Sequence, residues 1–358
     1  MHLLVDISAH GLGHLAQTAP VLEALCSLAP TLRLTVRSEI PRDRLERRIA
    51  TDFAHVPEAR DFGFVMHNAV DINRAGSAAR YREFHARWPQ RIATEAEWLG
   101  KHHVDALLSN VAYLPLAAAA QTGIPAAGLG SINWADLLFN YFGAEPWATE
   151  IHAQMLAAYN SSKGFLRITP GLPMEGLKRR HDVAPIARVG QRDRARVAQL
   201  LGLKERKRWV LLAMGGMEFR LPVENWPPLA GVSWLVPGEW NIRRGDVHTF
   251  DSAALDFCDL LASVDAVITK PGYGTFVEAA CSGTPILYVE REDWPETPHL
   301  AAWLAANARA HVLTRQQLSA GDFNEVLQGL WRAPAPAVPA ANGAGHAAHL
   351  LVKVLGLI

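Results

Sequence analysis

The chain has 358 residues, of which 49% are hydrophobic and 20% charged, a composition of ordinary globular proteins with length enough for two domains. Thirty-five Lys and Arg balance thirty-five Asp and Glu, so no excess charge favours nucleic acid. The three cysteines, Cys26, Cys258 and Cys281, are scattered in apolar helix-like patterns, and read as buried small hydrophobes in a reducing compartment rather than a disulfide or metal set.

Met1–Ser8 lacks a basic leader and long apolar core, so it reads as a first strand, Leu3–Ser8, rather than a signal peptide. His10-Gly-Leu-Gly-His14 follows, then a helix with Leu15, Thr18, Val21, Leu22 and Leu25 on one face. Leu32–Val36 is a second strand. Residues 42–91 are charged and without a clear period. A helix closes at Glu95–Leu99, a strand spans Val104–Ser109, and an alanine-rich helix spans Leu114–Thr122 before the stop at Gly123. Ile124–Leu129 is another strand, Ala135–Tyr159 is helical and aromatic, and Phe165–Ile168 closes the first half. This β-α alternation predicts a parallel sheet with helices on both faces. Prolines and glycines without a period predict a linker over 169–191.

A second alternation begins with a helix over Arg194–Leu203, a strand over Trp209–Ala213 and a glycine turn at Gly215-Gly216. Val232–Val236 is a strand and Ala254–Ser263 a helix. The strand Asp265–Thr269, a turn at Gly272 and Gly274, a helix over Thr275–Ser282 and the strand Ile286–Val289 then form one βαβ unit. A helix spans His299–Ala308; a Pro/Ala stretch from 333 precedes a final helix, Ala347–Leu357. The expected division is therefore 1–168, a linker at 169–191, 192–332, and a terminal linker and helix at 333–358. No window reaches the roughly 18 uninterrupted apolar residues of a membrane span. A cytoplasmic protein is expected, with peripheral membrane contact left open.

Several residues stand where chemistry is done in such sheets. The Gly272–Gly274 turn opens a helix whose unpaired N–H groups and dipole favour an anion. Gly215 and Gly216 directly follow a strand, where their backbone can approach a phosphate or sugar or simply turn the chain. Thr275-x-x-Glu278 has two readings: a capping box, which spacing alone favours, or a Glu placed to accept hydrogen bonds from a ribose. His14, at the first strand's carboxyl end and a helix start, suits a neutral general base, with His10 a second polar group in the loop. Gly11-x-Gly13 is not a dinucleotide fingerprint, because position 16 is Ala. The acids of Glu290–Glu296 fit sugar hydroxyls or a solvated helix start equally well. HExxH, paired CxxC, DxD and P-loop patterns are all absent, so no metal site is expected.

Taken together, Gly11-x-Gly13-His14, Gly215-Gly216 and Gly272-Tyr273-Gly274-Thr275-x-x-Glu278-Ala-x-x-x-Gly283-x-Pro285 resemble the GT-B glycosyltransferases that use nucleotide sugars. Ser8-x-His10-Gly-x-Gly-His14, Lys270-x-Gly-Tyr-Gly-Thr275 and Asn342-Gly-Ala-x-x-Ala-Ala348 are similar to the glycosyltransferase-like domain that precedes the kinase half of plant L-arabinokinases. The resemblance implies two doubly wound Rossmann-like domains facing across a cleft. It further implies inverting, metal-independent sugar transfer from a nucleoside-diphosphate sugar, expected to be UDP-linked, with no other cofactor.

In that reading His14 is the catalytic base, with His10 and Asn110 on the acceptor side. Gly13, Gly215, Gly216, Lys270, Gly272, Tyr273, Gly274 and Thr275 belong to the donor pocket, with Glu278 on the ribose and Glu296 and Thr297 near the donor sugar. The carboxylate that backs the base in such enzymes is missing, since the next long strand offers Ser109-Asn110. A nucleotide-sugar epimerase of the same fold and a non-catalytic sugar-nucleotide binder remain alternatives. The acceptor is not legible.

Overall fold

The computed structural model describes residues 1–215, 219–251 and 254–357. They form two units: Met1–His67 with Asp71–Ile186 and Asn342–Ile358, and Asn68–Val70 with Ala187–Ala341. The first unit contains β1 (His2–Ile7), α1 (Gly13–Leu28), β2 (Arg33–Arg37), α2 (Arg42–Glu46), β3 (Ala54–Val56), α3 (Arg74–His85), α4 (Trp88–Lys101), β4 (Ala106–Asn110), α5 (Leu114–Thr122), β5 (Ala126–Gly130), α6 (Trp134–Phe142), α7 (Pro146–Ser161), β6 (Gly164–Ile168) and β7 (Arg180–Val183). Its seven strands are all parallel, in the order β3-β2-β1-β4-β5-β6-β7. β1, β4 and β5 are buried along their whole length, because helices cover both faces of a parallel sheet.

The second unit contains α8 (Arg194–Leu201), β8 (Arg208–Ala213), β9 (Val232–Pro237), β10 (Val247–Phe250), α9 (Phe257–Ser263), β11 (Ala266–Thr269), α10 (Tyr273–Cys281), β12 (Ile286–Val289), α11 (Thr297–Asn307), β13 (Ala310–Leu313), α12 (Arg315–Ala320) and α13 (Asn324–Arg332). Its strands are again parallel, in the order β10-β9-β8-β11-β12-β13. In each sheet the strand order reverses once, between β1 and β4 and between β8 and β11. Loops at the carboxyl ends of those pairs diverge, which leaves room for a ligand.

The final helix, α14 (Gly343–Leu355), packs on α1 in the first unit. Its first residue must be glycine: a Cβ at Gly343 would lie 2.0 Å from the Ala184 carbonyl oxygen. The Gly343 N–H instead donates to the Pro185 carbonyl at 3.0 Å.

The structure corrects several boundaries. Phe165–Ile168 is not the last strand of its half. β7 lies inside the expected linker and pairs with β6, so the first unit runs to Ile186. The stretch 333–341 belongs to the second unit, and the helix beyond it to the first, so 333–358 is not one terminal piece. Ala135–Tyr159 is two helices separated at Gly143, because Asn133 caps α6 and Pro146 starts α7. The helix expected from Ala254 begins at Phe257, where Asp256 caps the N–H groups of Cys258 and Asp259. Among the described residues, no helix is long and apolar enough to cross a membrane.

Candidate active site

In the first unit the loop after β1 runs into α1 and brings His14 against the end of β4. The Ser8 N–H donates to the Asn110 carbonyl at 2.7 Å, and His14 Nδ1 lies 2.7 Å from Asn110 Oδ1. The surrounding contacts fix which way the amide faces. Thr18 gives its hydroxyl proton to the His14 carbonyl at 2.8 Å, so its oxygen accepts from Asn110 Nδ2 at 2.9 Å. Gln17 donates through Nε2 to Ser131 Oγ at 2.8 Å, which leaves Gln17 Oε1 to accept from Asn110 Nδ2 at 3.2 Å. With the amide nitrogen so committed, its oxygen faces the ring. His14 therefore carries its proton on Nδ1 and its lone pair on Nε2, the tautomer of a general base. Sequence reasoning placed Asn110 on the acceptor side; the structure makes it the partner of His14.

Trp134 backs the same loop, its ring centroid 5.3 Å from that of His10 and 5.8 Å from that of His14. Gly63, at φ +59°, has no room for a side chain, since a Cβ would lie 2.6 Å from His10 Cδ2 and 2.8 Å from Trp134 Cη2. Asp61 accepts from Trp134 Nε1 at 2.7 Å. Withdrawal from water pushes the Asp61 carboxyl up from 3.8 to about 6, against the hydrogen bonds of Trp134 and Ser8. Nothing in the sequence marked Asp61 or Trp134, because their positions depend on loops distant in the chain.

A carboxyl whose pKa is higher in the folded state favours folding when protonated. That contribution is complete below pH 3.8 and disappears as pH rises through about 6. Asp61→Asn keeps an acceptor for Trp134 and removes the charge. It is expected to raise thermal stability at pH 7.5 by at most about 3 kcal/mol and to change nothing at pH 3.5. Melting curves of both proteins across that range check this, and equal profiles refute it.

In the second unit the corresponding strand ends are those of β8 and β11, tied together by the Thr269 hydroxyl donating to the Ala213 carbonyl at 2.6 Å. Lys270 follows β11 directly. A Cβ built on Gly215 or on Gly272 would each lie 3.8 Å from Lys270 Nζ, so the ammonium stands beside both glycine turns. Gly216 lies outside the described residues.

α10 starts at Tyr273, two residues earlier than expected, with Gly272 as an N-cap that offers no side chain. Its first-turn N–H groups have no acceptor within the helix. The capping-box reading of Thr275 and Glu278 is thereby removed: Thr275 is the third residue of the helix and Glu278 lies in its interior. Glu278 is 2% exposed, and its Oε1 accepts from the Cys258 thiol at 3.6 Å. Tyr273 and Gly274 are buried, while Gly272 and Thr275 are half-buried.

Beyond β12, Arg291 is 4% exposed, with its guanidinium 4.2 Å over the Trp294 ring and 3.9 Å from Asp293. Glu296 stands at the N-cap position of α11 without a side-chain capping bond; it is buried, and its Oε2 accepts from Trp294 Nε1 at 3.3 Å. Thr297 begins that helix, and its buried Oγ1 has no hydrogen-bond partner among the described residues. Burial, reinforced by the positive Arg291, lowers Lys270 from 10.5 to about 8, with Glu296 opposing. Sequence reasoning missed Arg291 and Trp294, although they fall in the acidic run that it singled out.

No protein-family model matches the chain. Solved structures do. The glycosyltransferase of kitacinnamycin superposes with a TM-score of 0.62 at 15% identity, covering 99% of each chain. The calicheamicin glycosyltransferase CalG4 gives 0.60 at 15% identity, covering 99% of this chain and 98% of its own. The chain has the fold of the GT-B glycosyltransferases. UGT89C1 of Arabidopsis thaliana, solved with UDP, gives 0.57 at 14% identity over 99% of this chain and 95% of that one. In sequence, 358 aligned residues are 24% identical to L-arabinokinase of Arabidopsis thaliana. The match covers 96% of this chain but only 33% of that protein, so the chain spans about a third of the length of the curated relative it matches.

Proposed function

We propose that this GT-B chain transfers a sugar, with inversion, from a nucleoside-diphosphate sugar to an acceptor hydroxyl. The observation that carries the reading is electrostatic. Lys270 and Arg291 stand close enough for one to depress the other's charge, at the strand ends beside a helix N-terminus that no side chain caps. Two like charges withdrawn from water at such a place are relieved by an anion, and a diphosphate supplies two or three charges. A UDP moiety is favoured because the fold matches a UDP-bound glycosyltransferase structure.

The backbone of Gly215, Gly272, Gly274 and Thr275 would then line the diphosphate, Glu278 the ribose, and Glu296 with the unpartnered Thr297 hydroxyl the donor sugar. His14 Nε2 would take the proton from the acceptor hydroxyl as its oxygen attacks the anomeric carbon. The bond to the β-phosphate oxygen breaks with its electron pair, and Lys270, Arg291 and the α10 amides meet the developing charge.

Thermal melting against UDP, GDP and dTDP sugars tests this directly. A ligand at a hundred times its Kd adds about 2.7 kcal/mol, a rise of several degrees for a domain of this size. The best binder is then followed for sugar release with and without acceptors. Isomerised donor without acceptor selects an epimerase, binding without turnover selects a sensor, and no binding at all refutes the proposal.

A further inference from the structure

We infer that Asp61 supplies the negative charge that steadies His14 when its ring becomes an imidazolium, so that a carboxylate from the loop after β3 serves the base where β4 offers an amide. The inference rests on the glycosyltransferase reading and deepens it. In the transfer step the acceptor O–H bond breaks, its proton goes to His14 Nε2, and its oxygen forms the new bond to the anomeric carbon. The bond from that carbon to the diphosphate oxygen breaks, and the diphosphate leaves with the electron pair. The ring then carries a positive charge that it lacked before, and Asn110 Oδ1, 2.7 Å from Nδ1, meets it with an amide dipole.

Asp61 is tied to the His14 loop in two places. The Ser8 hydroxyl donates to its carboxylate while accepting from the His10 N–H at 3.3 Å. Trp134 Nε1 donates to Asp61 Oδ2 at 2.7 Å, and the same indole lies against His10 and His14, its centroid 5.3 Å and 5.8 Å from theirs. Both donors are neutral. The guanidiniums on neighbouring elements are committed to other acids, Arg37 to Asp6 and Glu95, and Arg60 to Glu58 and Glu95. Asp6 and Glu39 also reach Asp61, and as acids they disfavour a further negative charge. Tyr81, Tyr113 and Tyr159, which feel the Asp61 charge, are held well above their usual 10 by burial and stay neutral. A half-buried carboxylate with neutral donors and acids in range costs the empty protein stability, as its rise to about 6 records. That cost is relieved when a positive charge arises close by, and the charge that the reaction creates is on His14, which shares the Trp134 indole with Asp61. Asp61 thus acts on the reaction through His14, as a positioning residue.

The test compares the full chain with Asp61→Asn, whose amide still accepts from Trp134. NMR titration of protein labelled with 15N-histidine, with His14 assigned through His14→Ala, reads the imidazole pKa without any substrate. The His14 pKa is expected to fall by about one unit in Asp61→Asn, the coupling of opposite charges that share one neighbouring side chain. Turnover of UDP-glucose is then read as UDP release, with glycerol or water as acceptor. On the alkaline plateau kcat should drop about threefold to tenfold, the share of a one-unit change in base strength that proton transfer realises. The acid limb of kcat/KM should move to lower pH by the same unit, while the donor Kd, set by groups of the other unit, stays within about threefold. An Asp61 that merely holds Trp134 in place would lower the rate and move neither the pKa nor the limb. An unmoved His14 pKa overturns the inference and leaves the transferase reading standing. Absence of UDP release by both proteins, with every donor of the panel, overturns the transferase reading and the catalytic use of Asp61 with it.

Discussion

His14→Ala is expected to lower kcat by about a thousandfold or more while leaving the donor Kd within about threefold. A positioned general base contributes on the order of 10²–10⁴ in rate. His14 has the features of one: a ring held by Asn110, a tautomer fixed by Thr18 and Gln17, and a place at the carboxyl end of the central strand pair. The groups assigned to the diphosphate belong to the other unit, so their affinity should survive the change. His14 is 6% exposed, and removing its ring leaves a gap against Trp134, so a modest loss of melting temperature is expected as well. Added imidazole should restore part of the rate if the defect is a missing base, and none if the loop has collapsed. Unchanged turnover removes His14 from the mechanism.

The parts of this arrangement that the sequence made legible are those with strong local signals. α5 ends at the glycine expected of it, Gly123 in the left-handed region at φ 75°, and β12 occupies the expected apolar run Ile286–Val289. β7 and β13 escaped because they are edge strands of mixed character, Arg-His-Asp-Val and Ala-His-Val-Leu, where one side faces solvent and no apolar run is needed. The return of α14 to the first unit has no local signature; it depends on Gly343 meeting Ala184, more than 150 residues earlier. The false capping box shows the same limit from the other side. A glycine N-cap at Gly272 leaves no side-chain signal, so Thr275 and Glu278 supplied a pattern where the helix had already begun. Asn110 was visible as a departure from a carboxylate, but its grip on His14 depends on Thr18 and Gln17 lying one turn further along α1.

Lys270→Met should weaken UDP binding by about a hundredfold at pH 7 while making the unliganded protein more stable. The two effects have opposite signs for one reason. Burial and Arg291 hold Lys270 down from 10.5 to about 8, so the folded protein binds its proton less readily than the unfolded chain does. A base depressed in this way costs stability at every pH below about 8, and the cost is relieved as pH rises towards 10.5. Replacing it with an apolar side chain of similar length removes at most about 3 kcal/mol of that cost.

A bound diphosphate acts in the other direction. It favours the ammonium and raises its pKa again, so binding takes up a proton wherever the free lysine has lost one. Wild-type UDP affinity should therefore fall above about pH 8, by up to tenfold per unit, and the slope should vanish in Lys270→Met. A charge-assisted contact to phosphate is worth about 1.5–3 kcal/mol, from about tenfold to somewhat more than a hundredfold in Kd. A residue that burdens the empty fold and is recovered on binding belongs to a ligand site; one that merely packs would lose stability on replacement and leave affinity untouched. Titration calorimetry with UDP at pH 7 and pH 9, beside melting curves without ligand, separates the two. Lower stability with unaltered affinity would move the anion site away from Lys270.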